Sequence, residues 1–173
     1  SVPRYGAPLS GSPERVLVPG SATWEGACEF DLDRAFALGF PGIMGLSGDI
    51  AGLSHEQKRI VKRWVSFYSS IRCIIPSSVA YLLEGRGSPT AAVELLDEER
   101  AACVVSVCAS AGSPSRFSVQ PKGLRRDLRY RVREAFGDSY ELSGEELMEK
   151  GLIFASPRTS MVVCCEPIAE TGR

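Results

Sequence analysis

The rhythm of polar and apolar positions changes at Pro76 and divides this chain into two parts. Before Pro76 the spacing is helical. Over residues 28–39, Phe30, Arg34 and Leu38 fall four apart, with Leu32, Phe36 and Gly39 beside them. This predicts a helix, ended by Pro41-Gly42. Ile43-Met44-Gly45-Leu46 is a short continuous apolar run, the pattern of a strand buried on both faces of a parallel sheet. It closes on the small polar residues Ser47-Gly48-Asp49. Over residues 55–75, Ile60, Trp64, Phe67, Tyr68, Ile71, Ile74 and Ile75 recur at three and four. Lys58, Arg59, Lys62 and Arg63 face the other way, so an amphipathic helix is predicted. Ser54 and Gln57 form a capping box at its start, and Pro76 stops it. Residues 1–23, rich in Gly, Pro and Ser, read as irregular chain with Arg15-Val16-Leu17-Val18 as a candidate strand.

After Pro76 the period becomes two. Strands are predicted at 79–83, 91–96, 102–109, 116–119, 129–135 and 159–166, separated by turns such as Gly85-Arg86-Gly87 and Asp97-Glu98-Glu99-Arg100. A short helix at 144–150 lies between a Ser143/Glu146 capping box and Gly151. Strands at this spacing predict an antiparallel sandwich. One buried parallel strand cannot make a sheet. The part before Pro76 therefore reads as one piece of an α/β architecture whose other material is either paired with it or lies upstream; without those partners the apolar face of helix 55–75 is expected to lie open and to promote self-association.

Composition narrows the function. The chain has 173 residues, 44% hydrophobic and 24% charged, the balance of a globular protein and not of a disordered, collagenous or coiled-coil chain. No apolar run approaches the ~20 residues of a transmembrane helix. Lys+Arg is 20 and Asp+Glu 21, a net charge of −1, which excludes a global attraction to nucleic acid or acidic membranes. Lys122, Arg125, Arg126, Arg129, Arg131 and Arg133 form one basic stretch. Arg129, Arg131 and Arg133 alternate with Tyr130 and Val132, the pattern of a strand's solvent face. Six cysteines show no C-x-x-C spacing. Cys103, Cys108, Cys164 and Cys165 stand in apolar runs, as buried thiols of a reducing compartment do, and a cytoplasmic location is expected. The single histidine, His55, begins an exposed helix, which leaves no histidine cluster for a metal. There is no Walker loop, Rossmann fingerprint or H-E-x-x-H. No cofactor and no metal are expected.

Ser47, Gly48 and Asp49 are the best local candidates for chemistry. Ligands of α/β folds bind beyond the carboxyl ends of strands, where an Asp can bind sugar hydroxyls or move protons. A cap on the following turn is the competing role for Asp49. Trp24, before a helix, is a candidate ring for stacking on a sugar. Trp64 and Tyr68 lie on an apolar helix face and are assigned to the core.

Several segments in order carry a resemblance: Arg15–Pro19, Trp24, the helix ending at Phe40, Gly45-Leu46-Ser47-Gly48-Asp49-Ile50 with Leu53-Ser54, Phe67-Tyr68, Ile71-Arg72, Ile74-Ile75, and Tyr140-Glu141-Leu142-Ser143-Gly144-Glu145-Glu146-Leu147-Met148-Glu149-Lys150-Gly151-Leu152. Over residues 15–168 the chain resembles the C-terminal part of α-galactosidases (melibiases) of glycoside hydrolase family 36. The resemblance implies an α/β + β fold. Residues 1–76 would be the last strand/helix units of a (β/α)8 barrel, incomplete here, and residues 77–173 a C-terminal antiparallel β-sandwich. It implies retaining hydrolysis of terminal α-galactosides by two carboxyl groups. The family's nucleophilic Asp follows Lys-Trp, and its acid/base Asp lies in a Ser-Asp-Asp-type segment. Neither pattern occurs in this sequence, so no catalytic residue is assigned. Asp49, Ser47, Gly48 and Trp24 are carried as substrate-binding candidates. The implied partners are an α-galactoside and the remainder of the barrel, with a homo-oligomer left open and no nucleic acid or membrane. The competing reading is a non-catalytic carbohydrate-binding or interaction sandwich.

Overall fold

A computed structural model describes residues 15–18, 29–40, 42–46, 50–84, 90–109, 113–155 and 160–169. The first elements alternate: β1 (Arg15–Val18), α1 (Glu29–Gly39), β2 (Ile43–Leu46) and α2 (His55–Ile71). β1 and β2 are parallel and in register from Arg15↔Ile43 to Val18↔Leu46, with α1 as the crossover between them. The predicted capping box forms on α2: Gln57 N–H donates to Ser54 Oγ at 3.1 Å, and Ser54 N–H to Gln57 Oε1 at 2.9 Å. α2 ends at Ile71, short of the predicted 75. Proline disfavours the α conformation in the residue before it, and the chain passes through the 3-10 turn Ile75–Ser77 instead.

The remaining elements are β3 (Val79–Glu84), β4 (Thr90–Asp97), β5 (Ala102–Ala109), β6 (Arg116–Val119), β7 (Arg129–Glu134), β8 (Ser139–Ser143), α3 (Gly144–Glu149), β9 (Leu152–Ala155) and β10 (Ser160–Pro167). Six strands form one antiparallel sheet in the order β3-β4-β5-β10-β7-β8, and β6 pairs with β9 in a separate ribbon. β8 and β9 were not predicted. β8 is mostly exposed, so it lacks the apolar alternation that marks a strand. β9 is a four-residue apolar run, too short to show a period.

The sheet is buried on both sides. On one face Leu95, Ala102, Val104, Val162 and Cys164 pack with Phe36, Phe40, Trp64, Phe67 and Ile71 of the helical part. On the other, Cys103, Val105, Val107, Val163 and Cys165 pack with Val119, Leu124, Leu147, Leu152 and Phe154 of the second layer. The apolar face of α2, expected to lie open, is covered by α1 and the sheet. Large apolar side chains that do reach solvent are scattered, among them Ile50, Leu82 and Ile153. Ser106 on β5 donates to the Ala37 carbonyl of α1 at 2.5 Å, so the polar group on this buried strand is satisfied.

Trp64 is the centre of the helical layer. It is 1% exposed. It stacks on Phe36 at 5.7 Å and meets Phe40 and, edge-on, Phe136 at 5.1 and 4.5 Å. Its indole N–H donates to Asp33 Oδ1 at 2.6 Å, and the same carboxylate accepts from Arg63 at 2.9 Å. Arg63 in turn lies 3.7 Å over the Phe136 ring. We expect Trp64→Ala to cost about 3–5 kcal/mol in urea unfolding. Trp64→Phe, which keeps a ring but loses the bond to Asp33, should cost about 1–3 kcal/mol.

Candidate functional site

The in-register pairing of β1 and β2 brings Val18 opposite Leu46, so both strands end at one edge of the parallel pair. The segment after β2 carries Ser47, Gly48 and Asp49, and the segment after β1 carries Trp24. These four residues lie outside the described residues. The flanks of the 47–49 segment are built firmly. On the strand side, Met44 N–H donates to the Tyr68 hydroxyl at 3.3 Å. The Tyr68 ring stands edge-on to Phe40 at 5.8 Å. On the helix side, Leu53 is buried, Lys58 Nζ donates to the Ala51 carbonyl at 2.6 Å, and the Ser54 capping box closes the turn. His55 is exposed in the first turn of α2, as expected. Trp64 is in the core, as expected, while Tyr68 is half-buried and has the further role of satisfying the Met44 N–H.

The basic stretch is neutralised across strands and helices. Arg125 pairs with Asp127 at 2.7 Å, Arg126 with Glu149 at 2.9 Å, Arg129 with Glu141 at 3.7 Å and Arg133 with Glu166 at 3.2 Å. Arg131 stands between Glu141 and Glu166 in the register of β8 and β10. Charges arranged this way form a solvated face and do not concentrate positive potential for phosphates.

Among the described residues no group of three or more His, Cys, Asp or Glu could hold a metal ion, and no helix is long and apolar enough to cross a membrane. Cys103, Cys164 and Cys165 are buried, as the apolar runs predicted, while Cys108, near the end of β5, is only half-buried. A hydrogen bond to Cys165 and burial push the Cys103 thiol up, and burial does the same to Cys164, so neither is a ready nucleophile. Asp97 is fully buried at the end of β4. Burial pulls its carboxyl upward, yet bonds from Ser77 Oγ at 2.7 Å and Arg100 Nη1 at 2.6 Å outweigh this and hold it below the usual carboxylate range. Glu94 is the buried acid that sequence reasoning missed. Its signal was available: one carboxylate in the apolar run Thr90–Asp97, on the face of Ala92 and Leu96.

The architecture is that of an α/β unit leading into an antiparallel sheet with helices on one face and a ribbon layer on the other. No protein-family model and no curated protein matches the sequence. Solved structures do match, and they make the class more particular. The chain has the fold of a C-terminal region of α-galactosidases of glycoside hydrolase family 36. The α-galactosidase AgaA of Geobacillus stearothermophilus is similar over 90% of this chain and 22% of its own, with a TM-score of 0.70 and 22% identity. The α-galactosidase of Lactobacillus brevis is similar over 93% of this chain and 23% of its own, with a TM-score of 0.67 and 19% identity. The galactosidase domain of the α-galactosidase-sucrose kinase AgaSK covers 93% of this chain and 22% of its own, with a TM-score of 0.69 and 20% identity. At such identities the likeness is one of fold, and this chain spans less than a quarter of each enzyme.

The Tyr68 hydroxyl should be measurable at the strand edge. Tyr68→Phe is expected to cost about 1 kcal/mol and to speed hydrogen exchange at the Met44 amide more than at amides within β5.

Proposed function

We propose that this chain is the C-terminal part of an α-galactosidase-like retaining glycoside hydrolase acting on terminal α-galactosides. The observation that carries this reading is the fold match over 90% of the chain. Structures of AgaA variants hold raffinose in one case and stachyose in another, which supports an α-galactoside as the ligand here. On this reading residues 1–76 are the end of a (β/α)8 barrel and residues 77–173 its C-terminal sandwich. β1 and β2 are then two of the barrel's strands, and the rest of the barrel is the partner of their open edges, with self-association of the whole enzyme left to measurement. The buried thiols Cys103, Cys164 and Cys165 support a reducing, cytoplasmic setting.

Ser47, Gly48, Asp49 and Trp24 follow the carboxyl ends of parallel strands, where barrels of this kind bind substrate. Asp49 would accept from sugar hydroxyls, and Trp24 would offer a ring face to the apolar side of the sugar. Retaining hydrolysis needs a nucleophilic and an acid/base carboxyl roughly 5–5.5 Å apart, and the reading assigns both to sequence upstream of this chain.

The test is to read the coding DNA upstream of Ser1 and to express the extended polypeptide. The expected result is a Lys-Trp-Asp strand end upstream and release of α-galactose from raffinose with its anomeric configuration retained, followed by proton NMR. In that polypeptide Asp49→Ala should raise KM roughly tenfold or more with the fold intact. A start codon close to Ser1, or an extended chain that binds galactosides without cleaving them, would overturn the enzyme reading in favour of a binding module.

A further inference from the structure

Glu94 sits inside the sandwich with Tyr81 of β3 and Val105 of β5 as its register partners. Its side chain is 0% exposed. One oxygen, Oε2, accepts the Lys122 backbone N–H at 2.7 Å. The other, Oε1, has no hydrogen-bond partner among the described residues. The titratable groups facing the carboxyl are the Cys103 thiol from β5, Cys165 behind it on β10, the Tyr81 phenol from β3 and Lys122 from the overlying turn. Both thiols are hydrogen-bonded to each other and weak as donors.

The overlying segment, residues 120–128, is not a regular element. Buried Leu124 anchors it in the core, and single bonds hold the rest: Gln120 Nε2 to the Glu149 carbonyl at 2.8 Å, Arg125 N–H to the Tyr130 hydroxyl at 3.0 Å, and Gly144 N–H to the Leu128 carbonyl at 2.8 Å. Gly123 takes φ +73° where it packs on Leu96. Two of the segment's ties come from the six-stranded sheet, the Tyr130 hydroxyl of β7 at Arg125 and the Glu94 carboxylate of β4 at Lys122.

We propose that Glu94 is a proton-operated latch on segment 120–128: with its proton the carboxyl lies closed beneath the Lys122 turn, and without it the turn opens to bring water or the Lys122 ammonium to Oε1. A buried carboxylate held by one backbone N–H and a weak thiol donor, with Oε1 unbonded, is poorly compensated for its burial, whereas a short irregular segment with one buried anchor opens at smaller cost than the sheet beneath it. Burial pushes the group up to about 7, against the Lys122 backbone bond, the Cys103 thiol and the Lys122 charge, which draw it down. In the opened or unfolded state the group returns towards its ordinary 4.5. The closed state therefore binds more protons between these values. Its stability is greatest below about 4.5, falls as pH rises towards 7, and levels off above 7.

The inference is independent of the glycosidase reading, and its test needs only the 173-residue chain. Amide hydrogen exchange, corrected for its intrinsic pH dependence, is followed by NMR at Lys122 and its neighbours and at β5 and β10. Protection at Lys122 should fall by up to roughly tenfold per pH unit between pH 5 and 7 and then level off, with β5 and β10 losing much less. In Glu94→Gln, a neutral isostere, this dependence should vanish. Should that variant fail to fold, the carbon-13 shift of the wild-type Glu94 carboxyl gives its titration midpoint directly, expected near 7. A midpoint at the ordinary glutamate value, an unchanged dependence in Glu94→Gln, or equal losses at β5 and β10 would each overturn the latch.

Discussion

Everything in this molecule depends on two central strands that have no wet side. β5 and β10 lie next to each other in the sheet, and their side chains are buried alternately into the helical layer and the ribbon layer. An antiparallel sheet can leave one face in water. This one does not, because α1 lies across β5 and β10 on the outside and α2 packs behind it. Neither layer can be removed without exposing half of the other's core. The buried polar groups obey the same constraint. Ser106 reaches the Ala37 carbonyl, Trp64 reaches Asp33, and Asp97 is surrounded by Ser77 and Arg100. Glu94 alone among these acids keeps one oxygen without a hydrogen bond among the described residues.

Much of this was legible in the chain because burial writes itself into spacing. The three- and four-residue repeat of α2, its Ser54–Gln57 box and the Ser143–Glu146 box of α3 occur where the pattern predicted them. The strand prediction at 102–109 matches β5, whose apolar run, interrupted only by Ser106, is the mark of burial on both faces. What covers the outer face was not legible. Spacing reveals that a side chain is buried but not against what, so the apolar face of α2 was assigned to partners outside the chain when α1 and the sheet supply them. β8 escaped notice because an edge strand has a neighbour on one side only and tolerates polar residues on both faces.

The candidate site was legible in part. The run Ile43–Leu46 and the run Arg15–Val18 both read as strands, and their parallel pairing puts the carboxyl ends of two strands that are far apart in sequence at one common edge. The contact of Tyr68 with Met44 was not legible, since it joins residues 24 apart and a Tyr on an apolar face reads as core. The arginine stretch illustrates the opposite case. Its alternation with Tyr130 and Val132 already argued for a solvent face, and the acids of β8, α3 and β10 that neutralise it became visible only once those elements were folded together.

The strand order has a consequence for how the protein is made. β10 is late in the chain yet lies between β5 and β7. Until the ribosome has released residues up to 167, the nascent polypeptide holds two separate half-sheets, β3-β4-β5 and β7-β8, each with an unpaired edge facing the other. The long-range closure must wait for β10, which makes this a slow-folding topology of non-local pairings and leaves two adhesive edges open during synthesis. A nonsense codon between residues 156 and 160 would remove only the final strand from the polypeptide's count of elements, but it would leave both half-sheets permanently without the strand that joins them.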